Sequence, residues 1–336
     1  MSCDPILLVG GSGVVGQQTA RHLRKAHPAV PLLIGGRDLS RAEAVAKKIG
    51  NAEAVVVDLD AADLNLGARA VSAVAVFFKD DKIAALRFAQ SRGVPYISIS
   101  SGVQEIGPEV AAFMQRPQAA PIVLGAEWFI GAATVPAMDT AKDFKQVDSV
   151  TVRAVVEEGD IGGPATYKDM ERLIQAMPAV LTVKDGNYLW LKAEDTPTSL
   201  QALDGTEMTA EIYSPYDVLS LANETGAANV EFRLAIGESS SSRRGEPLST
   251  EIIIDMYGKD HANQPLHKRR AVVHPEGQIA LSGMGVALVL ERLLGLSGRP
   301  VAAGLYFPSQ LLDPQVYLTR LHEAGGESFM MNVDAD

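Results

Sequence analysis

The sequence contains one cysteine, Cys3, so no intramolecular disulfide can form and nothing in it calls for an oxidising compartment. A thiolate metal site is excluded for the same reason, and the six histidines, His22, His27, His261, His267, His274 and His322, show no metal-ligand spacing. No metal is expected. Basic residues are also in deficit: 30 Lys and Arg against 41 Asp and Glu leave a formal charge of −11. Neutralising phosphates requires clustered Lys and Arg, so sequence-independent binding to nucleic acid is not expected. Long apolar runs are scarce. The run from Ile6 to Val9 stops at glycines and is too short for a signal-peptide core. Ala119 to Met138 is nearly apolar, but it holds Pro121, Glu127 and Pro136, and a charge near the centre of a span is costly. We read it as a buried strand followed by a helix, with no membrane partner and a cytoplasmic location. A serine nucleophile elbow with its His and Asp partners is missing too.

What remains is a chain of 336 residues, 47 % apolar and 21 % charged, enough for two domains that each bury a core. Up to about residue 130, short apolar runs alternate with helical patterns, the sequence form of repeated βαβ units and a parallel sheet. The expected strands are Ile6 to Val9, Leu32 to Ile34, Ala54 to Val57, Val74 to Phe78, Tyr96 to Ile99 and Ile122 to Leu124. Between the second and third, Ser40 and Glu43 form a capping box, Ala42, Val45, Ala46 and Ile49 mark one helical face, and Gly50 is placed to end the helix. After about residue 145, longer polar/apolar alternations such as Thr151 to Val156 and Glu251 to Asp255 suit an antiparallel sheet with one face covered. Gly237 to Pro247, with four consecutive serines and Arg243-Arg244, reads as a mobile, solvated loop of a kind that can also close over a ligand. Gln278 to Leu294 and Pro314 to Glu323 read as helices.

The first strand is followed at once by Gly10-Gly11-Ser12-Gly13-Val14-Val15-Gly16, which carries Gly-x-Gly-x-x-Gly at Gly11, Gly13 and Gly16. The first glycine permits the tight turn, the second lets backbone approach a pyrophosphate, and the third allows close helix-strand packing. The helix that follows, with Val15, Thr19 and Leu23 on one face, offers free N–H groups and a positive dipole end to phosphates. This context, a strand before and a helix after within the first βαβ unit, makes the segment a dinucleotide loop and the domain a Rossmann fold. The second strand ends Gly35-Gly36-Arg37 instead of in the acidic residue that would bind a ribose 2′-OH. Arg37 can accept a 2′-phosphate, with Ser40 and Arg41 adding donors, so NADP(H) is favoured over NAD. Asp38 would repel that phosphate if turned inward, and Arg37 would serve equally as a solvated turn residue.

These residues resemble the saccharopine dehydrogenase-like family, in particular its saccharopine reductase branch. The similarity lies in the loop Gly10 to Gly16, the Gly-Gly-Arg ending at Arg37 with the Ser-Arg-Ala-Glu helix start, and the third strand ending at Asp58. Gly-Pro-Ala-Thr-Tyr from Gly163 and Gly-Leu-Tyr-Phe-Pro before Asp313-Pro314 also look like that family. The resemblance implies an N-terminal Rossmann domain with a doubly wound parallel sheet and a second mixed α/β domain with a largely antiparallel sheet. It also implies a homodimer and hydride exchange with NADP(H) at a C=N or CH–NH bond. By position, it places Asp58 and Leu59 beside the adenine and Phe78-Lys79 near the nicotinamide. The chain departs from the family's pattern in having Phe78-Lys79-Asp80 after the fourth strand and no proline between Gly125 and Gly131. Both departures face the substrate, so saccharopine itself is not carried over.

Tyr188 and Lys192 have the spacing of a short-chain dehydrogenase pair, but their stretch reads as a strand and we set the coincidence aside. In open α/β sheets the ligand binds outside the carboxyl ends of the strands, which gives weight to Lys79, Asp80, Ser100, Ser101, Glu127 and Trp128. Glu127, among Gly125, Ala126, Trp128 and Phe129, suits acid/base work if desolvation raises its pKa, and would otherwise cap the helix that starts nearby. Tyr167, Lys168 and Arg172 share one helical stretch, where Lys168 and Arg172 either bind a substrate carboxylate or form a solvated pair.

The expected organisation is a cofactor domain over 1–130, a substrate and dimerisation domain over 131–300, and a C-terminal segment over 301–336 that returns to the first. The expected activity is an NADP(H)-dependent oxidoreductase for an amino-acid-like or amine substrate held between the domains. Lys79, Glu127 and Tyr167 are its candidate catalytic residues. Gly11, Ser12, Gly13, Val14, Val15, Gly16, Arg37, Ser40, Asp58, Leu59 and Phe78 are its cofactor residues. Reduction of an activated C=C bond, and NADP(H) sensing without turnover, are the alternatives.

Overall fold

A computed structural model of the chain describes residues 4–99, 102–125, 127–160, 171–172 and 179–333. The chain divides into two compact units: 1–126 with 282–311, and 127–281 with 312–336.

The first unit opens with β1 (Ile6–Val9), four apolar residues all buried, as expected of a strand covered on both faces. It leads into α1 (Val14–Ala26), which buries Gly16, Thr19, Ala20 and Leu23. Then come β2 (Leu32–Gly36), α2 (Leu39–Ile49), β3 (Ala52–Val56), β4 (Ala73–Val76), α3 (Ala84–Arg92), β5 (Tyr96–Ser98), α4 (Gly107–Gln115) and β6 (Pro121–Leu124). A late strand, β15 in chain order (Gly304–Tyr306), pairs in parallel with β6. The sheet runs β15-β6-β5-β4-β1-β2-β3 and every pairing is parallel. The chain order reverses between β1 and β4, which is where open α/β sheets bind ligands. On one face Leu7, Val9, Leu33, Val55, Val74 and Val76 pack with Leu86, Phe88 and Ala89 of α3. The fold is thus the doubly wound Rossmann sheet expected from the sequence.

One expectation about α2 is corrected. Its N-cap is Asp38, not Ser40; the Asp38 carboxylate accepts the Arg41 N–H at 3.0 Å, and Ser40 lies within the first turn. The aspartate wins because a short carboxylate two residues earlier already meets an orphan N–H of the first turn and its negative charge suits the positive helix end.

The second unit is built on α5 (Thr134–Ala141), β7 (Phe144–Val156), the hairpin β8 (Ala179–Lys184) and β9 (Asn187–Lys192), β10 (Pro197–Gln201), β11 (Glu207–Tyr213) and α6 (Asp217–Thr225). It continues through β12 (Asn229–Ile236), β13 (Thr250–Asp260), β14 (Pro265–His274), α8 (Pro314–Glu323) and β16 (Glu327–Met331). The intervening α7 (Gly277–Leu293) contributes residues to both units. The main sheet order is β10-β11-β12-β7-β13-β14-β16, with β8 pairing β12 and β9. Among the described residues only β12 with β7 is parallel, so the sheet is mixed and largely antiparallel.

Gly237 to Pro247 is not a loose loop. Glu157 accepts from the Ser239 N–H and from the hydroxyls of Ser239 and Ser242, while buried Glu251 accepts from the Ser240 N–H, the Ser240 hydroxyl and the Leu203 N–H. The serines that looked like solvated linker residues saturate two glutamates on neighbouring segments. Among the described residues no helix is long and apolar enough to cross a membrane, and no group of three or more His, Cys, Asp or Glu is placed to hold a metal.

Candidate functional site

The first unit presents the glycine turn. Gly10 sits at φ +84°, its N–H donating to the Gly35 carbonyl at 2.8 Å, and the Gly13 N–H donates to the Gly10 carbonyl at 2.8 Å. A methyl group on Gly16 would lie 2.7 Å from the Gly11 Cα and 2.9 Å from the Gly10 oxygen, so helix and turn are as close as bare backbone allows. The first bond into α1 runs from the Gln17 N–H to the Gly13 carbonyl, which leaves the N–H groups of Val14, Val15 and Gly16 to the amino end of the helix. The Gln17 side-chain amide donates to the Ser12 carbonyl, holding the turn against the helix. These features fit a pyrophosphate: bare backbone, free donors and a positive dipole end.

The same unit carries other sequence-selected residues, of which Phe78 lies against the turn. Arg37 is exposed just past β2, and Asp38 is engaged as the cap of α2. Asp58 is exposed and turns its carboxylate onto the Asp60 N–H at 2.9 Å. Leu59 and Phe78 are half-buried against the apolar core, Phe78 being the side chain that a methyl on Gly10 would strike at 2.9 Å. Lys79 is half-buried, its Nζ 3.9 Å from a carboxylate oxygen of Glu105, which also accepts the Gly102 N–H. Asp80 has a structural post: its buried carboxylate accepts the N–H groups of Lys82 and Ala85 at the start of α3. Ser100 and Ser101 lie outside the described residues.

The second unit begins with Glu127, 1 % exposed. One of its carboxylate oxygens accepts the Thr134 hydroxyl at 2.9 Å, while the N-cap of α5 is Ala133. After Trp128 the backbone takes three successive left-handed residues: Phe129 at φ 51°, Ile130 at 54° and Gly131 at 89°. Such conformations are costly for side-chain-bearing residues, most of all a β-branched one, and persist only where the surroundings over-determine them. The surroundings are an aromatic cluster. Trp128 stacks on Phe129 at 4.2 Å and meets Phe232 edge-on at 4.9 Å and Tyr213 at 5.8 Å.

Beneath it lies a residue that the sequence did not single out. Asp217, wholly buried at the start of α6, accepts the Trp128 N–H at 2.6 Å. Burial, then the nearby Glu127 carboxyl, push its carboxyl well above the usual range. Tyr317 of α8, also wholly buried, has its hydroxyl pushed up by burial, then Glu127, then Asp217. Asp217 Oδ1 and the Tyr317 hydroxyl have no hydrogen-bond partner among the described residues. Two acids and a phenol from three separate segments thus form one buried cluster. Asp217 was invisible in the sequence because in Tyr-Asp-Val-Leu-Ser-Leu it reads as an ordinary first-turn residue of a helix. Tyr167 and Lys168 lie outside the described residues, and Arg172 is half-buried.

No protein-family model matches the chain, and a comparison with curated proteins gives no match. Solved structures do share its fold. It is similar to the saccharopine dehydrogenase (L-Glu forming) of Saccharomyces cerevisiae, 14 % identical with a TM-score of 0.69, over 98 % of this chain and 100 % of that one. It is similar to the homospermidine synthase of Legionella pneumophila, solved with NAD, at 10 % identity and a TM-score of 0.65 over 100 % of this chain and 92 % of that one. An amine dehydrogenase of Mycobacterium smegmatis is 12 % identical with a TM-score of 0.51, over 92 % of this chain and 96 % of that one.

Proposed function

We propose that the chain is an NADP(H)-dependent oxidoreductase acting on the C=N or CH–NH bond of an amino-acid-like or amine substrate. The observation that carries the reading is the glycine turn at the amino end of α1, with Arg37 exposed at the end of β2 while Asp38 is turned onto its own helix. The N–H groups of Val14, Val15 and Gly16, with Gly11, Ser12 and Gly13, bind the pyrophosphate, and Arg37 with Ser40 binds the 2′-phosphate. Asp58, Leu59 and Phe78 border the rest of the dinucleotide. The bound cofactor supplies or accepts the hydride.

The buried cluster supports the nitrogen chemistry. Imine reduction needs a proton as well as a hydride, and an acid kept out of water is a suitable donor at neutral pH. Glu127 holds that proton, Asp217 fixes the Trp128 segment that carries Glu127, and the aromatic cluster keeps water away. Lys79 and Tyr167 are the further groups proposed to orient the substrate. Saccharopine dehydrogenase and amine dehydrogenase share this fold, which supports the substrate class by analogy only.

The test is binding of NADPH and NADH to the purified protein and to Arg37→Ala, followed by turnover with paired amines and oxo acids. A preference for NADPH that disappears in the variant, with NADPH oxidised by one such pair, is the expected result. Equal affinity for the two cofactors overturns the NADP assignment. Tight binding without turnover across the panel replaces the enzyme with a sensor of NADP(H).

A further inference from the structure

In α3, Ala85, Leu86, Phe88 and Ala89 are buried in the core of the first unit. Ala84, Arg87 and Ser91, three and four positions apart, share the opposite face. In α4 the same spacing puts Pro108, Ala111, Ala112 and Gln115 on one face. These two faces and the loop after β3 line one cavity of about 690 Å³, a size usual for small-molecule sites. It stays open because Ala61, Ala62, Ala84, Ala111 and Ala112 are too short to fill it. The Gln90 amide donates to the Ala112 carbonyl at 3.0 Å, and the Asp80 carboxylate holds the start of α3, so the walls are fixed before anything binds.

The charge of this cavity is one-sided. Lys82, Arg87 and Arg116 line it against a single acid, Asp60, and Asp60 is already paired with Lys82. The Arg87 and Arg116 side chains have no hydrogen bond or ion pair among the described residues. Two uncompensated guanidiniums thus converge on one mostly apolar hollow in a chain whose formal charge is −11.

We propose that this cavity binds a small organic dianion, a dicarboxylate whose acid groups meet Arg87 and Arg116 while its hydrocarbon body lies on the alanines. A guanidinium offers a carboxylate two parallel N–H donors, and the apolar lining releases water onto which a purely inorganic anion has no claim. The site is separate from the glycine turn, since neither Arg37 nor any residue from Gly10 to Gly16 lines it. The strands β4, β5 and β6 are parallel, so α3 and α4 return toward their amino ends. Ser91, Gln115 and Arg116, at or past the carboxyl ends of these helices, therefore lie away from the strand ends where the dinucleotide is proposed to bind.

Calorimetric titration of the full chain with hexanedioate, octanedioate and decanedioate, each beside its own monomethyl ester, tests the proposal. At least one diacid should bind at one site per chain, about fivefold or more tighter than its ester. Arg87→Gln and Arg116→Gln should each weaken that binding by about fivefold or more. Arg92→Gln removes the same charge from α3 outside the cavity and should bind as the wild type does. Arg87 and Arg116 are exposed, so their variants should keep the circular dichroism of the wild type. NADPH affinity should be unchanged in both, and Arg37→Ala should leave diacid binding unchanged, which separates this site from the cofactor assignment. No saturable binding of any of the diacids overturns the proposal. So does binding that survives both Arg87→Gln and Arg116→Gln, or that falls as far in Arg92→Gln.

Discussion

The Asp217 carboxyl accepts the Trp128 N–H at 2.6 Å, so one buried acid fixes the segment that carries the other, Glu127. The same carboxyl is raised by burial and then by Glu127. Between its ordinary value of 3.8 and that raised value, the folded protein binds one proton more than the unfolded chain. Unfolding free energy therefore falls as pH rises through this window: the contribution of the group is complete below the ordinary value and is lost as pH approaches the raised one. Asn cannot ionise, yet its carbonyl can still accept the Trp128 N–H. Asp217→Asn should gain stability relative to wild type in thermal melts as pH is raised above the ordinary carboxyl value of 3.8 toward the raised one. Parallel pH profiles for the two proteins would show that the carboxyl does not titrate differently on folding.

Glu127→Gln should preserve the bond from the Thr134 hydroxyl while removing the acid. If Glu127 delivers the proton, turnover should fall by about 10²-fold or more, with NADPH affinity unchanged. Turnover within twofold of wild type would take Glu127 out of the mechanism and leave the cluster as packing.

The two sheets were readable where a strand announced its environment: Ile6-Leu7-Leu8-Val9 has no polar position and is buried on both faces, whereas Asn229 to Phe232 alternates in polarity and in burial; Glu251 to Asp255, expected to have one face covered, is buried at every position. The glycine turn was readable for a different reason, since three glycines at fixed spacing answer one backbone requirement. The acid cluster was only half readable. Glu127 stands out amid apolar neighbours, but Asp217 and Tyr317 come from elements 90 and 190 residues away, and a residue's burial against such elements leaves no local mark. The serine run failed for a related reason: four serines look solvated until Glu157, just past β7, and Glu251 of β13 arrive to accept their donors.

Gly13 and Gly16 should separate binding from folding. A methyl on Gly13 meets nothing closer than the Gly10 oxygen at 3.1 Å, whereas one on Gly16 meets backbone atoms at 2.7 and 2.9 Å. Gly13→Ala should stay close to wild-type stability and bind NADPH at least about tenfold more weakly, because the methyl stands where a pyrophosphate approaches. Gly16→Ala should lose about 1–3 kcal/mol in denaturant unfolding through overpacking. Equal NADPH affinity for Gly13→Ala and wild type would argue against this turn as the phosphate site.

Asp80 stands beside Lys79 in sequence yet serves α3, where its carboxylate takes the Lys82 and Ala85 N–H groups. Asp80→Ala should cost about 0.5–2 kcal/mol, the range for a lost helix cap, with little change in turnover at a temperature where the variant is folded. A large loss of kcat in a stable Asp80→Ala protein would instead move this residue into the chemistry.

Asp255 of β13 lies directly opposite Arg269 of β14 and is also bonded by Arg153 of β7 and His267 of β14. Burial alone would raise its carboxyl, but Arg153, His267 and Arg269 together hold it below its ordinary value. For a depressed carboxyl the sign is the reverse of that for Asp217: its contribution is present above the ordinary value and is lost as pH falls toward the folded one. Arg153 is 9 % exposed, so Asp255→Ala strands a buried guanidinium and should cost about 3–5 kcal/mol in urea unfolding near pH 7. Replacing both members, Arg153→Met with Asp255→Leu, removes the two desolvation costs together and should recover most of that loss. The acid limb of the stability profile should flatten in the same double variant. If the double variant is no more stable than Asp255→Ala, the ion pair itself, and not the stranded charge, holds β7 to β13.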